Sequence, residues 1–317
     1  MQSNRRFDTR LGMVAARIEH LQRVESYGMD RVELVIVPRD EEQAVRAHLE
    51  RTAPALSVHC PLFRDSGPDG YPLLAAVFDT DPERSQRSIT LIETELDRAA
   101  RWGASHLVVH LQRAVAVLGE TNPSGWTPER AVEAALEVGK RLAAAARGAG
   151  VELHLENMMG QPLLSRPEHY LAVLEPLCGL GVGMCFDVGH AALDAHAYGF
   201  DLTRFAALVA PHVGSIHLYN NQIHEGFDFG TLREQGRLRK VPVHPEQLPG
   251  QLWIDIPAVL GAILDVNPRA LVTFEVYFAL DTDGDATRAG MEWVADLCRP
   301  FWGPQTGDLA PARQSRT

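Results

Sequence analysis

Residues 128–157, PERAVEAALEVGKRLAAAARGAGVELHLEN, hold one complete helix-to-strand step. Thr127-Pro128 opens it, since proline suits a first helical turn, and Gly150 stands where a helix should stop. Apolar residues then recur at helical spacing up to about residue 148. From Val151 the period changes to two: Val151, Leu153 and Leu155 point one way, Glu152, His154 and Glu156 the other. A strand with one apolar face and one polar, ligand-bearing face, fed by an amphipathic helix, fits the wall of a parallel barrel.

Working outward, the same unit repeats. Segments at 11–17, 31–38, 56–62, 106–111, 151–157, 182–188, 213–219 and 271–278 read as strands. Between them lie amphipathic stretches near 19–27, 40–51, 83–102, 128–148, 167–177, 201–209, 256–265 and 286–298. Asp81-Pro82 and Arg166-Pro167 mark further helix starts, and Gly103 a further stop. Eight β-then-α units predict an α/β fold, a single (β/α)8 TIM barrel spanning 11–302. Residues 1–10 and the tail 303–317 are expected to be disordered. No Gly-rich nucleotide loop follows the first strand, which argues against an open doubly wound sheet. The connections after the third, fourth and seventh strands (63–81, 112–127, 220–254) are far longer than usual. In a barrel all three lie on the C-terminal face, where active sites are built.

The 317 residues suit one large barrel, and 45% hydrophobic residues supply its core. With 41 acidic against 30 basic residues the formal charge is −11. A nucleic-acid binder draws most of its affinity from a basic face, so no nucleic-acid partner is expected. Cys60, Cys178, Cys185 and Cys298 are widely spaced and read as reduced packing residues. The polar N-terminus and the lack of a long apolar run predict no membrane partner and a cytoplasmic location. A homodimer or tetramer is compatible with this composition.

Metal-binding residue types recur at strand ends: His59 on the third, His110 on the fourth, Glu156 on the fifth, Asp187 on the sixth, His217 on the seventh and Glu275 on the eighth. His190 follows Asp187 in CFDVGH. Val272, Phe274 and Val276 leave Glu275 on the barrel side; Ile216 and Leu218 leave His217 there. Asp187 joins them if Met184 and Phe186 pack outward. One inward histidine is ordinarily a hydrogen-bonded core residue, and an aspartate before Val-Gly also suits a turn. The joint pattern says more. Carboxylates gathered in a barrel mouth repel one another, and a divalent cation removes that cost. Oxygen and imidazole donors without thiolate suit one Mn²⁺, Mg²⁺, Co²⁺ or Zn²⁺.

At these residues the chain resembles the xylose-isomerase-like barrels: sugar isomerases, ketose epimerases, inosose dehydratases and endonuclease IV. The matching pieces are VHCP (58–61), VVH (108–110), LEN (155–157), FDVGH (186–190), SIHLYNN (215–221) and FEVY (274–277), in family order. The resemblance implies Glu156, Asp187, His217 and Glu275 as metal ligands. In the isomerase and epimerase branch, Glu156 and Glu275 also move protons next to a substrate carbonyl through an enediolate. His190, His59, His110 and His244 are then expected to meet a small carbohydrate. A dehydratase or lyase shares the first proton abstraction.

The DNA-repair branch instead implies three zinc ions, acting as a phosphodiesterase on abasic DNA. His59, His110 and Glu156 would fit its first site, and His190 would join its third. Its Asp-x-His motif after the seventh strand is broken here, because Pro242 stands two before His244, leaving Asp228 as a substitute that no spacing supports. The loops point to an unphosphorylated substrate: 279–285 carries three aspartates, and Asn220, Asn221, His224, Glu225 and Asp228 suit hydroxyl groups. Arg233, Arg237, Arg239 and Lys240 are the one basic stretch that could clamp a phosphate. Glu33, on the second strand, reads equally well as a substrate contact or as a salt-bridged structural residue.

Overall fold

A computed structural model describes residues 7–63, 77–79, 81–112, 125–223, 228–230, 240–276 and 284–303. Eight strands run parallel and close into a barrel in chain order. They are β1 (Leu11–Ala15), β2 (Arg31–Leu34), β3 (Ala55–His59), β4 (His106–Val109), β5 (Glu152–Glu156), β6 (Val182–Asp187), β7 (Val213–Leu218) and β8 (Leu271–Phe274). Around them lie α1 (Ile18–Tyr27), α2 (Glu42–Thr52), α3 (Pro82–Trp102), α4 (Pro128–Ala149), α5 (Pro167–Leu177), α6 (Val188–Tyr198), α7 (Leu202–Val209), α8 (Ile256–Leu264) and α9 (Gly284–Trp302). Among the described residues no helix is long and apolar enough to cross a membrane.

The expected helix signals act as written. Asp81 and Thr127 accept hydrogen bonds from the first turns of α3 and α4, and Gly103 and Gly150 take left-handed conformations at their ends. The apolar face of each strand packs on the helices. Leu107, Leu153, Met184, Phe186, Ile216 and Val272 are buried with Ile92, Leu96, Leu142, Leu174, Phe205 and Leu260. Each such side chain contributes roughly 1.5–3 kcal/mol when fully buried. Gly139 lets α4 approach α5, since a Cβ there would stand 2.5 Å from Leu177 Cδ1.

The register then fixes what faces the axis. His217 lies beside both Asp187 and Thr273, and Ser57 beside Glu33, so these side chains share the inner face. Met184 and Phe186 point out to the helices, which leaves Asp187 and Cys185 inside.

The structure departs from the reading in two places, strand length and one helix. Several strands are shorter than read, β2 by four residues, because Ile36 takes a left-handed backbone conformation (φ 45°) that an extended strand cannot continue through. Residues 7–10 belong to the described structure: Phe7 is buried and Arg10 pairs with Asp8. α6 was not foreseen at all. Val188 to Ala195 is buried on every side, so the segment has no apolar stripe to announce a helix.

Candidate metal centre

Glu156 ends β5 and is the hub. His59 Nε2 and His110 Nε2 each lie 2.9 Å from its Oε2, and His190 Nδ1 lies 3.3 Å from its Oε1. His217 Nδ1 is 3.5 Å away, and the same nitrogen is 3.5 Å from Glu275 Oε2. Asp187 ends β6 and has two uses. Its Oδ1 caps α6, accepting from the His190 backbone N–H at 2.7 Å, while Oδ2 faces the cluster, 3.4 Å from His190 Nδ1. The turn reading and the site reading of that aspartate are therefore compatible.

Asn157 holds this corner, a role the sequence reading missed. Its side chain donates to the Asp187 carbonyl at 2.9 Å and accepts from the Asp187 N–H at 2.8 Å. Its own carbonyl lies 3.0 Å from His190 Nδ1. An asparagine following a ligand carboxylate is the only signal that could have found it. Lys240 was also missed as a site residue, since its sequence neighbours suggest only a phosphate clamp. It is buried, its ammonium pairs with Glu275 Oε1, and it lies 4.4 Å above the Tyr219 ring. Tyr219 in turn fits against Gly189, where a Cβ would stand 2.2 Å from the ring. Glu33 bonds His217 Nε2 at 2.8 Å and Ser57 Oγ at 3.0 Å, inside the barrel and fully buried.

His244 is not brought to the cluster by its contacts. It shapes a turn, its N–H donating to Gln247 Oε1 at 2.9 Å and its Nδ1 accepting from the Glu246 N–H at 3.3 Å. Gln247 is the reason: its side chain accepts from the His244 N–H and donates to the Pro242 carbonyl at 3.0 Å, which folds this stretch back on itself. Of the other loop residues weighed, Asn220 bonds Gln247 and the Ile254 N–H, and Asn221 reaches the Gly189 carbonyl at 3.4 Å. Trp126 packs on Phe78. Tyr71, His224, Glu225, Arg233, Arg237, Arg239 and 279–283 lie outside the described residues. All four cysteines are free, but Cys178 is exposed, not packed. A cleft of about 1040 Å³ opens at the opposite, N-terminal end of the barrel, yet its Arg51 and Arg299 are paired with Glu25 and Asp296.

Of the mouth's carboxylates, Asp187 is the one whose charge its neighbours do not balance. Burial pushes the Asp187 carboxyl up to about 7, with Glu275 and Glu156 adding to it against His190 and Lys240. Burial also opposes ionisation of Glu156, but His110 and His217 hold it well below the usual range; Lys240 does the same for Glu275. Burial disfavours charging His217, yet Cys185, Glu33 and Glu156 raise it well above an ordinary histidine. Among the described residues, Asp187 Oδ2, His217 Nδ1 and Glu275 Oε2 are buried and aimed here without a hydrogen-bond partner. One donor atom from each of Glu156, Asp187, His217 and Glu275 lies within 4.8 Å of the others. Three oxygens and an imidazole in that space fit a divalent ion. His59, Glu156 and His217 form a second, overlapping triangle.

No curated relative matches the chain. Among solved structures, a D-tagatose 3-epimerase-like protein superposes with TM-score 0.65 at 14% identity, covering 90% of this chain and 96% of that one. An IolI protein with a bound zinc atom gives 0.66 at 15%, covering 92% and 98%. The TTHB071 protein from Thermus thermophilus, soaked with zinc chloride, gives 0.57 at 25%, covering 90% and 98%. The family model described as xylose isomerase-like TIM barrel matches residues 21–297, and the chain belongs to that family.

Proposed function

We propose that this chain is a divalent-metal-dependent isomerase or epimerase of a small unphosphorylated sugar or related polyhydroxy carbonyl compound. One observation carries the reading: Glu156 and Glu275 enter the mouth from β5 and β8, with the donor atoms of Asp187 and His217 grouped between them. A bound divalent cation would supply Lewis-acid polarisation of neighbouring substrate oxygens. The rest is done by the chain. Glu275 is kept ionised by Lys240 and so is ready to take a proton from the carbon beside a carbonyl, leaving an enediolate. Glu156 stands on the far wall, ringed by His59, His110 and His190. A proton held by His59 or His190 and passed through Glu156 to the same carbon inverts it; passed to the neighbouring carbon, it moves the carbonyl; the proton taken up by Glu275 then leaves to solvent. Loss of a hydroxide instead would make the enzyme a dehydratase, which the same first step allows.

The family and the epimerase-like neighbour support a sugar substrate. An unphosphorylated one is supported by the charge near the described site: Lys240 is engaged by Glu275 and Tyr219, so it is not spare for a phosphate. The test is turnover of a panel of ketoses and inososes by metal-loaded protein in deuterated water. Product carrying deuterium beside the carbonyl is expected, and turnover without exchange would refute the mechanism. A much higher kcat/KM for a sugar phosphate than for the free sugar would refute the substrate class.

A second reading has one observation in its favour: His59 Nε2 and His110 Nε2 both lie 2.9 Å from Glu156 Oε2, and these are the three residues expected at the first zinc site of a phosphodiesterase of the endonuclease IV kind. The turn made by His244 and the charge of −11 oppose it. Cleavage of a duplex with one abasic site by zinc-loaded protein would establish it.

A further inference from the structure

We propose that Glu33 is a positioning residue that locks His217 in the tautomer whose Nδ1 can bind a cation. The inference rests on the metal-centre reading above, though not on the sugar chemistry. Glu33 sits on β2, which contributes no ligand, and it is one layer below the cluster on the inner face. Its side chain is fully buried. A carboxylate in such a place is strongly disfavoured unless its oxygens receive hydrogen bonds. Each oxygen has a donor: Oε1 faces His217 Nε2 at 2.8 Å, and Oε2 accepts from Ser57 Oγ at 3.0 Å. His106 Nε2 stands 3.8 Å from Oε2 on the third side.

The consequence follows from donor counting. An ionised carboxylate only accepts, so the hydrogen between Glu33 and His217 belongs to Nε2. A cation binds only the imidazole that has given up its Nδ1 proton, and with the other hydrogen kept on Nε2 the lone pair is on Nδ1, the atom that points at Glu156 and Glu275 and has no hydrogen-bond partner among the described residues. With the other tautomer, Nδ1 would carry a hydrogen into the cluster and could not ligate. Partners of this kind fix both tautomer and ring orientation, and their loss typically weakens metal binding about 10- to 100-fold. A glutamine of the same size removes the constraint, because its amide can turn its NH₂ toward Nε2.

The experiment uses zinc alone as probe, with no substrate. Metal-free full-length wild type and Glu33→Gln are titrated with Zn²⁺ against a chromophoric chelator, with circular dichroism and thermal melts to confirm folding. Zinc affinity should fall about 10- to 100-fold in Glu33→Gln. Ser57→Ala, which leaves the His217 contact in place, should lose less than Glu33→Gln. Unchanged affinity in folded Glu33→Gln overturns the proposal and leaves the metal centre standing. Failure of wild type to bind any zinc overturns both. If Glu33→Gln does not fold, the wild type still decides. Long-range ¹H–¹⁵N spectra of the zinc-loaded protein, with His217 assigned by its loss in His217→Asn, should show a protonated Nε2 and an unprotonated Nδ1. A bare Nε2 contradicts the proposal.

Discussion

Replacing Asp187 by asparagine should stabilise the protein without metal and destabilise it with metal. Asparagine is as good a helix cap as aspartate, so the 2.7 Å bond to the His190 N–H and the start of α6 survive. What changes is Oδ2, the buried oxygen without a partner. In the metal-free protein the carboxyl is raised from 3.8 to about 7. The folded chain therefore holds a proton that the unfolded chain gives up, and stability falls as pH rises between about 4 and 7. Above that window the penalty is complete: three pH units at about 1.4 kcal/mol each give on the order of 4 kcal/mol. Asparagine has no such penalty. At pH 8 in chelator, Asp187→Asn should melt higher than wild type, by up to roughly 8 °C at about 2 °C per kcal/mol, and below pH 4 the gain should vanish. Metal reverses the order. At a thousand times its Kd a ligand adds about 4 kcal/mol to wild type, whereas the variant has lost a charged donor and gains far less. Scanning calorimetry across pH, with and without Mn²⁺ or Zn²⁺, reads both effects. Equal metal-dependent stabilisation of the two proteins would refute the assignment of Asp187, and no gain at pH 8 in chelator would refute the crowding of charge.

Other outcomes follow from the same contacts. Glu156→Gln and Glu275→Gln should each lose at least 10²- to 10⁴-fold in kcat with the fold intact, and should stop deuterium exchange at the substrate carbon. Lys240→Met should leave Glu275 buried without its counter-charge, costing on the order of 3 kcal/mol in thermal stability. Because Lys240 holds Glu275 low, the acid limb of the rate profile should move to higher pH in that variant. Gly189→Ala forces a methyl group against the Tyr219 ring and should cost about 1–3 kcal/mol, seen as a lower Tm.

How far the sequence reached depends on which physical signal each residue leaves. The barrel and the inward set were legible because a strand's side chains alternate: apolar Leu153, Leu155, Ile216 and Val272 had to meet helices, which left Glu156, His217 and Glu275 the axis. α6 was invisible because a helix buried on every side has no period to read. Lys240 and His244 came from one long loop, where spacing along the chain says nothing of distance in space. The loop carries Lys240 into the site and ties His244 into a turn. Asn157 acts on backbone atoms of Asp187, thirty residues on, and no side-chain pattern encodes such a contact. Glu33 had two equal readings, and only its 2.8 Å contact with His217 chose between them.

The most direct test of the central claim is anomalous diffraction from crystals of protein loaded with Mn²⁺ or Zn²⁺. The account predicts one strong peak per chain, about 2.0–2.4 Å from an oxygen of Glu156, Asp187 and Glu275 and from Nδ1 of His217. No bound ion, or an ion held by His59 and His110 with Asp187 and Glu275 unengaged, would contradict it.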